Sequence, residues 1–522
     1  MLRILAASML FLSFALAGPA AAESTREQEH LLFLQEALFR GLEHNFDLQA
    51  ERLNIPIGRE DVSTEAARFD PVADAAVSGA GERTPTAADS FDDAYARLRR
   101  YAAEAGLGKE FQTGFDARLA LETARLDSNS SSVGLDPEYR TFLFLDFTQP
   151  LLRDFGKAAN TADLRIAEQR LQQARFGYLD QAQRLAEAIE LAYFELARAH
   201  ETLRLRIDSR ELARELLEGN RAKFEAGIVP VTEVQEAETA VAARDEQVVF
   251  ARQQVETAAH RLKDFLEIGV DDPLATGPLL TEPLPGTEQK WPALGTALAA
   301  ALAERPDLER QRLEITSRDI RLAFYQNQKL PRLDLEASLG VNGLSGELEE
   351  PGTQGARANR GDFWHSVDQA SGGDGYEWFA GLRFDYPLGN RAAEARYRRA
   401  GHEKRQALYG LKGLENTVET EVRNALTTVE RGFERVQVAE RFQQLADITL
   451  GQEMERLQEG LTDTFRILDF QAAVIEARLR KTNALVDFHQ GLASLYRAMG
   501  ANLERRGIVH TLENKEIPHA RN

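Results

Sequence analysis

The sequence predicts a mainly α-helical fold with membrane β-strands, laid out as two tandem repeats of helix, strands and long helical hairpin. Three observations carry this: an internal duplication, two long proline-free stretches with apolar seams, and short extended runs that close on proline. In the duplication, Asp47, Leu48, Arg52, Leu53, Ile55 and Pro71 recur about 260 residues later as Asp307, Leu308, Arg312, Leu313, Ile315 and Pro331. A helix-like stretch ends at the proline in each copy and gives way to an extended run.

Taken in order, residues 1–22 read as a secretory signal: Arg3, an apolar run from Ile4 to Ala17, and Ala20-Ala21-Ala22 before Glu23. An uncleaved anchor helix is the competing reading, but the apolar core has roughly 14 residues against the ~20 that a spanning helix needs. Elsewhere the longest alanine-rich run, Ala293 to Ala303, is too short to span, so any membrane insertion of the remaining chain must use strands. The first repeat is expected over 23–269, with strands at about 71–82 and 140–150 and a helical hairpin at about 156–268. Five prolines and two glycines crowd the stretch from Pro273 to Pro292, which marks 270–291 as a linker. The second repeat follows over 292–500, with strands at about 331–342 and 376–387 and a hairpin at about 390–500. Residues 501–522 read as a polar C-terminal tail.

Composition excludes several functions. Acidic residues exceed basic ones by 20 and cysteine is absent, which argues against a nucleic-acid partner, a disulfide framework and a lipid-bearing cysteine. The nine histidines are scattered without H-x-x-x-H or H-E-x-x-H spacing, so no metal site is expected. No cofactor motif survives either: Gly372-Gly-Asp-Gly375 has no strand-then-helix context. With no catalytic constellation, the chain does not read as an enzyme.

The helices carry seams at alternating spacings of three and four. Leu185, Ile189, Ala192, Leu196, Ala199 and Leu203 form one; Val418, Val422, Ala425, Val429, Gly432, Val436 and Ala439 form the other. A single helix from Gly156 to about Glu225 would be roughly 100 Å long. Each hairpin turns at a glycine, Gly227 or Gly460, which suits a helix C-terminal turn of positive φ. Thr232, and Thr462 or Asp463, are candidate caps for the returning helices. Ordinary bundle turns would use the same glycines.

The extended runs have the length of tilted membrane strands. Phe115, Ala117, Leu119 and Leu121 alternate with mostly polar neighbours, and Trp378, Phe379, Phe384 and Tyr386 place aromatics near both ends of the last strand. A soluble β-sandwich edge is the alternative. Four strands cannot seal themselves in lipid, so closure requires several chains. The run from Thr113 to Leu126 is a fifth candidate strand, read as part of an enlarged loop of the first repeat.

Together these features resemble the TolC-type outer-membrane efflux family over almost the whole chain after the signal. The resemblance rests on Gln149-Pro150-Leu-Leu-Arg-Asp-Phe-Gly156 leading into the long helix, Arg305-Pro306-Asp307-Leu308 opening the second repeat, the Pro331 junction and the two glycine tips. It implies a homotrimer whose chains share a twelve-stranded barrel in outer-membrane lipid, above a long periplasmic helical tunnel. It further implies a passive exit duct for tripartite efflux or type I secretion. The implied partners are a periplasmic adaptor docking at the tips around Gly227 and Gly460, and an inner-membrane transporter of RND, ABC or MFS type.

The same resemblance places Thr232, Glu233, Arg466 and Asp469 at the periplasmic aperture. Asp469 matches one of two aspartates that ring the narrowest point in the family; Arg466 stands at the other position, and Thr462 stands where a basic residue is usual. Threefold symmetry would make Arg466 and Asp469 a ring of six alternating charges, while their spacing equally allows an exposed intrachain pair. The competing functional reading is a periplasmic coiled-coil adaptor or scaffold protein, against which the duplicated hairpin and membrane-length strands argue.

Overall fold

The structure, a computed structural model, describes residues 30–87, 94–129, 134–275, 277–348 and 357–508. The expected signal segment and the tail from 509 onward fall outside the described residues. Packing divides the chain into two units. One comprises Phe39–Leu191, Gly286–Val438 and Asp487–Asn522; the other comprises Met1–Leu38, Ala192–Pro285 and Ala439–Val486.

The duplication is visible helix by helix. Helices α1 (Leu34–His44) and α2 (Phe46–Ala67) have 11 and 22 residues, and their counterparts α6 (Leu294–Glu304) and α7 (Pro306–Asn327) have the same lengths. Long α4 (Ala162–Glu225), which follows the single turn α3 (Lys157–Asn160), corresponds to α9 (Arg391–Gln458). The returning helices α5 (Val231–Phe265) and α10 (Thr464–Ala498) have 35 residues each. Gly156 and Gly389, which precede α3 and α9, share φ values of 89° and 90°. Both junctions thus use positive-φ backbone, which glycine adopts without strain.

The predicted seams are buried: Ile189, Leu196, Val418, Val422 and Val429 are fully enclosed. At Gly432 an added Cβ would sit 3.3 Å from the Phe488 backbone, so the missing side chain is what allows α9 and α10 to approach there. Such burial, not intrinsic propensity, holds helices of this kind.

The second repeat opens on a buried ion cluster. Arg305, at the N-cap position of α7, donates to both carboxylate oxygens of Asp307 at 3.0 and 2.6 Å, to Glu421 at 2.5 Å and to the Ala498 carbonyl at 3.2 Å. Burial works to raise the Asp307 pKa, yet the hydrogen-bonded guanidinium outweighs it and holds the carboxyl below its ordinary value. Burial likewise opposes the charge on Arg305, and the two carboxylates overcome it and raise its pKa.

The sheet differs from expectation. Strands β2 (Val72–Pro85), β3 (Tyr95–Glu110), β4 (Asp116–Ser128), β5 (Glu138–Pro150), β7 (Arg332–Gly346) and β8 (Gly375–Asp385) form one antiparallel sheet in that order. The sheet holds six strands of this chain, not the expected four. The run taken for part of a loop is β4, paired with β5 from Asp116–Thr148 to Leu126–Glu138, and β3 was not foreseen at all. Its apolar positions are mostly Ala, with charges between, which gives little strand propensity. The four expected strands correspond to β2, β5, β7 and β8, with β3 and β4 inserted between the first two.

Two further elements occupy stretches that read as irregular. Helix α8 (Phe363–Gly372) caps β5 and β7, with Ser366 Oγ 2.8 Å from Thr141 Oγ1, both buried. In the other unit β1 (His30–Leu32) pairs in parallel with β6 (Leu279–Thr281), the latter inside the expected linker; Tyr193 Oη donates to Leu32 O at 2.9 Å beside them. Past 500, α11 (Asn502–Arg505) is packed, with Asn502 and Leu503 buried. No helix among the described residues is long and apolar enough to cross a membrane.

Candidate functional site

The predicted site residues gather at the two hairpin tips. The tips are near copies of one another. At the first, Gly227 has φ 74°, its N–H donates to Phe224 O at 2.9 Å, and the N–H of Ile228 donates to Lys223 O at 2.9 Å. At the second, Gly460 has φ 72°, with Gly460 N–H to Leu457 O at 3.1 Å and Leu461 N–H to Arg456 O at 2.9 Å. Both are Schellman turns, and glycine serves them through its backbone freedom, since nothing stands within 4 Å of an added Cβ at either position.

The caps of the returning helices differ. Asp463 accepts from the Arg466 N–H at 2.9 Å and so caps α10. At α5 the N-cap position is Pro230, which offers no side-chain acceptor; Thr232 is exposed one residue inside the helix and does not cap it.

Glu233 is tied to the second hairpin. Its Oε2 accepts from Thr464 Oγ1 at 2.7 Å; that hydroxyl accepts from Asn220 Nδ2 at 2.9 Å, and the same Nδ2 reaches the Glu233 carbonyl at 3.2 Å. Asn220 and Thr464 are each only 1% exposed, so this network is shielded from water that would compete for its bonds. Deeper in the same unit, buried Arg244 donates to Ser209 O at 2.9 Å and Gln471 Oε1 at 3.0 Å, and burial lowers its pKa.

Asn220, Thr464, Arg244 and Gln471 were not singled out in the sequence. A signal existed for Arg244: it continues the spacing of Val234 and Ala237 toward Val248 and Ala251, all buried, and a charged residue on an apolar seam marks a specific contact.

Arg466 and Asp469 are both exposed. Arg466 reaches Glu453 at 3.8 Å, a carboxylate that Arg456 also holds at 2.9 Å, and stacks 5.9 Å from the Phe470 ring centre. The exposed intrachain Arg466–Asp469 pair is not formed.

Residues 297–501 match the family described as outer membrane efflux protein. Among solved structures, the outer-membrane channel OprN superposes with a TM-score of 0.63 at 18% identity, covering 90% of each chain. The Campylobacter jejuni CmeC outer membrane channel gives 0.63 at 16%, covering 90% of this chain and 86% of that one. The Neisseria gonorrhoeae MtrE outer membrane channel gives 0.60 at 17%, covering 90% and 89%. No curated protein matches the sequence. Residues 297–501 thus carry the match to the efflux family, and the chain as a whole shares the fold of these channels.

Proposed function

We propose that the chain is the outer-membrane exit duct of a tripartite efflux or type I secretion system. It acts as a homotrimer, passively passing substrates received from a periplasmic adaptor and an inner-membrane transporter of RND, ABC or MFS type. The supporting observation is the two-faced sheet. One face carries Leu107, Leu119, Leu121, Leu143, Leu145, Leu335, Leu339 and Leu382, all exposed, while the opposite face carries Asp74, Arg100, Glu104, Arg118, Glu122, Glu336 and Arg383. Apolar-out and polar-in alternation, with β2 and β8 left as edges, suits a membrane wall that sister chains complete.

In this reading the adaptor docks around Gly227 and Gly460, and the tips form the periplasmic aperture. Glu233, held by Thr464 and Asn220, keeps the two hairpins of a chain together, and Thr232, Arg466 and Asp469 face the opening. Opening then requires partners that spread the tips and break these bonds. Fractionation should recover the protein in the outer membrane as a detergent-extractable trimer; a soluble periplasmic monomer would refute the reading. In planar bilayers, Thr464→Val should raise single-channel conductance severalfold by releasing Glu233, and Arg466→Ala or Asp469→Ala should change ion selectivity.

A further inference from the structure

Resting on the membrane reading above, we infer that the β3–β4 hairpin is part of the barrel wall, so that three copies close an eighteen-stranded barrel by pairing β2 of one chain with β8 of the next. An extension standing outside the membrane would pair with its neighbours only near the loops. This hairpin pairs down to the end of the sheet that joins the helices: Val72 with Gly108, Glu110 with Asp116, and Asp116 with Thr148. β3 and β4 have 16 and 13 residues, more than the roughly 9 to 11 that a tilted strand needs to cross.

The faces agree. Register places Ala73, Leu107, Leu119, Leu145, Leu339 and Trp378 in one row across all six strands, and Ala75, Ala105, Leu121, Leu143 and Val341 in the next. In these two rows the hairpin continues the apolar band of the flanking strands with no charged residue; the next row, toward the helices, places Lys109 of β3 beside Ala117 and Phe147. On the opposite face it brings its own ionic ladder: Arg118 binds Asp74 at 2.8 Å and Glu104 at 2.7 Å, and Arg100 binds Glu122 at 2.8 Å. Such a ladder belongs against water in a lumen.

The edges suit one another as well. An even strand count lets β2 meet β8 of a neighbour antiparallel. β2 presents Ala73, Ala75, Val77 and Gly79 on its apolar face, none larger than valine, while β8 presents Trp378, Leu382 and Phe384, each about two-thirds exposed. Large side chains on one edge meet the room left by small ones on the other.

Barrel width grows with strand number, so eighteen strands set the wall about 18 Å from the axis, against about 12 Å for twelve. The membrane pore would be about half as wide again as one built from four-strand contributions.

The chain contains no cysteine, so single cysteines can be read cleanly with a membrane-impermeant maleimide on trimers reconstituted in phospholipid vesicles. Ala105→Cys and Leu121→Cys should react at least tenfold more slowly than Ala102→Cys on the opposite face, matching Leu339→Cys in the second repeat. If Leu339→Cys is protected while Ala105→Cys and Leu121→Cys react freely, the hairpin is outside the wall and the inference fails alone. If Leu339→Cys also reacts freely, the membrane reading itself has failed. End-on imaging of the reconstituted protein should count eighteen strands. Twelve, whether from two chains or three, would overturn the proposal. Excising 88–133 keeps β2 and β5 in facing register, and should lower the largest polymer admitted from the loop side to about two-thirds of its diameter.

Discussion

The two repeats share every long helix, yet the first supplies four strands to the sheet and the second only two. Helix lengths are locked because each helix must present its seam to its counterpart, and an insertion inside one would rotate every later side chain off the seam. A sheet tolerates insertion differently. A whole hairpin added between β2 and β5 returns the chain to the same end of the sheet with the same face outward, because strand parity is preserved. The repeats also open differently: α2 begins at a capping Asn45, whose side chain accepts from Leu48 N–H at 3.1 Å, whereas α7 begins at the buried Arg305 cluster.

The largest expected effect follows from that second difference. Arg305→Ala would leave Asp307 buried without its partner, at a cost of about 3 to 5 kcal/mol. Asn45→Ala in the first repeat removes one cap, worth about 1 kcal/mol. Thermal unfolding of the detergent-solubilised protein should rank the two clearly, and equal shifts would contradict the asymmetry. Acid titration sharpens the comparison. The folded-state pKa of Asp307 is depressed, so its contribution is present above the unfolded carboxylate value and is lost as pH falls through the folded one. Arg305→Ala should erase that part of the acid-induced loss, whereas Asn45→Ala should leave it in place.

The tips offer the opposite expectation, equality. Gly227→Ala and Gly460→Ala each force a Cβ into left-handed backbone with φ near 70°, costing about 1 to 2 kcal/mol apiece. Hydrogen exchange at Ile228 and Leu461 should accelerate to a similar degree in the two variants. A large difference would mean that the shared geometry conceals different packing.

What the sequence disclosed follows the same division. The duplication, the seams and the glycine tips were legible because each repeats a local rule: a period, a proline stop, a positive φ. β3 was not, because Ala102, Ala103, Ala105, Gly106 and Gly108 belong to the sheet through their neighbours and not through their own preference. Thr464 and Asn220 were equally invisible, since their hydrogen bond joins positions 244 residues apart. The aperture residues drawn from the family pattern are exposed at the second tip, but the contacts that hold Glu233 had to come from the fold.

The smallest effect concerns the caps, in which the tips differ. Asp463 supplies α10 with a side-chain acceptor for Arg466 N–H, while Pro230 gives α5 none. Asp463→Ala should cost about 1 kcal/mol and speed exchange at the Arg466 amide. Pro230→Asp should do the reverse for α5, gaining a few tenths to about 1 kcal/mol, because the extended backbone at Pro230 already has the geometry of a capping residue. If that gain fails to appear, proline's restriction of the unfolded chain is worth as much as the missing cap. The two tips would then be equally firm by different means.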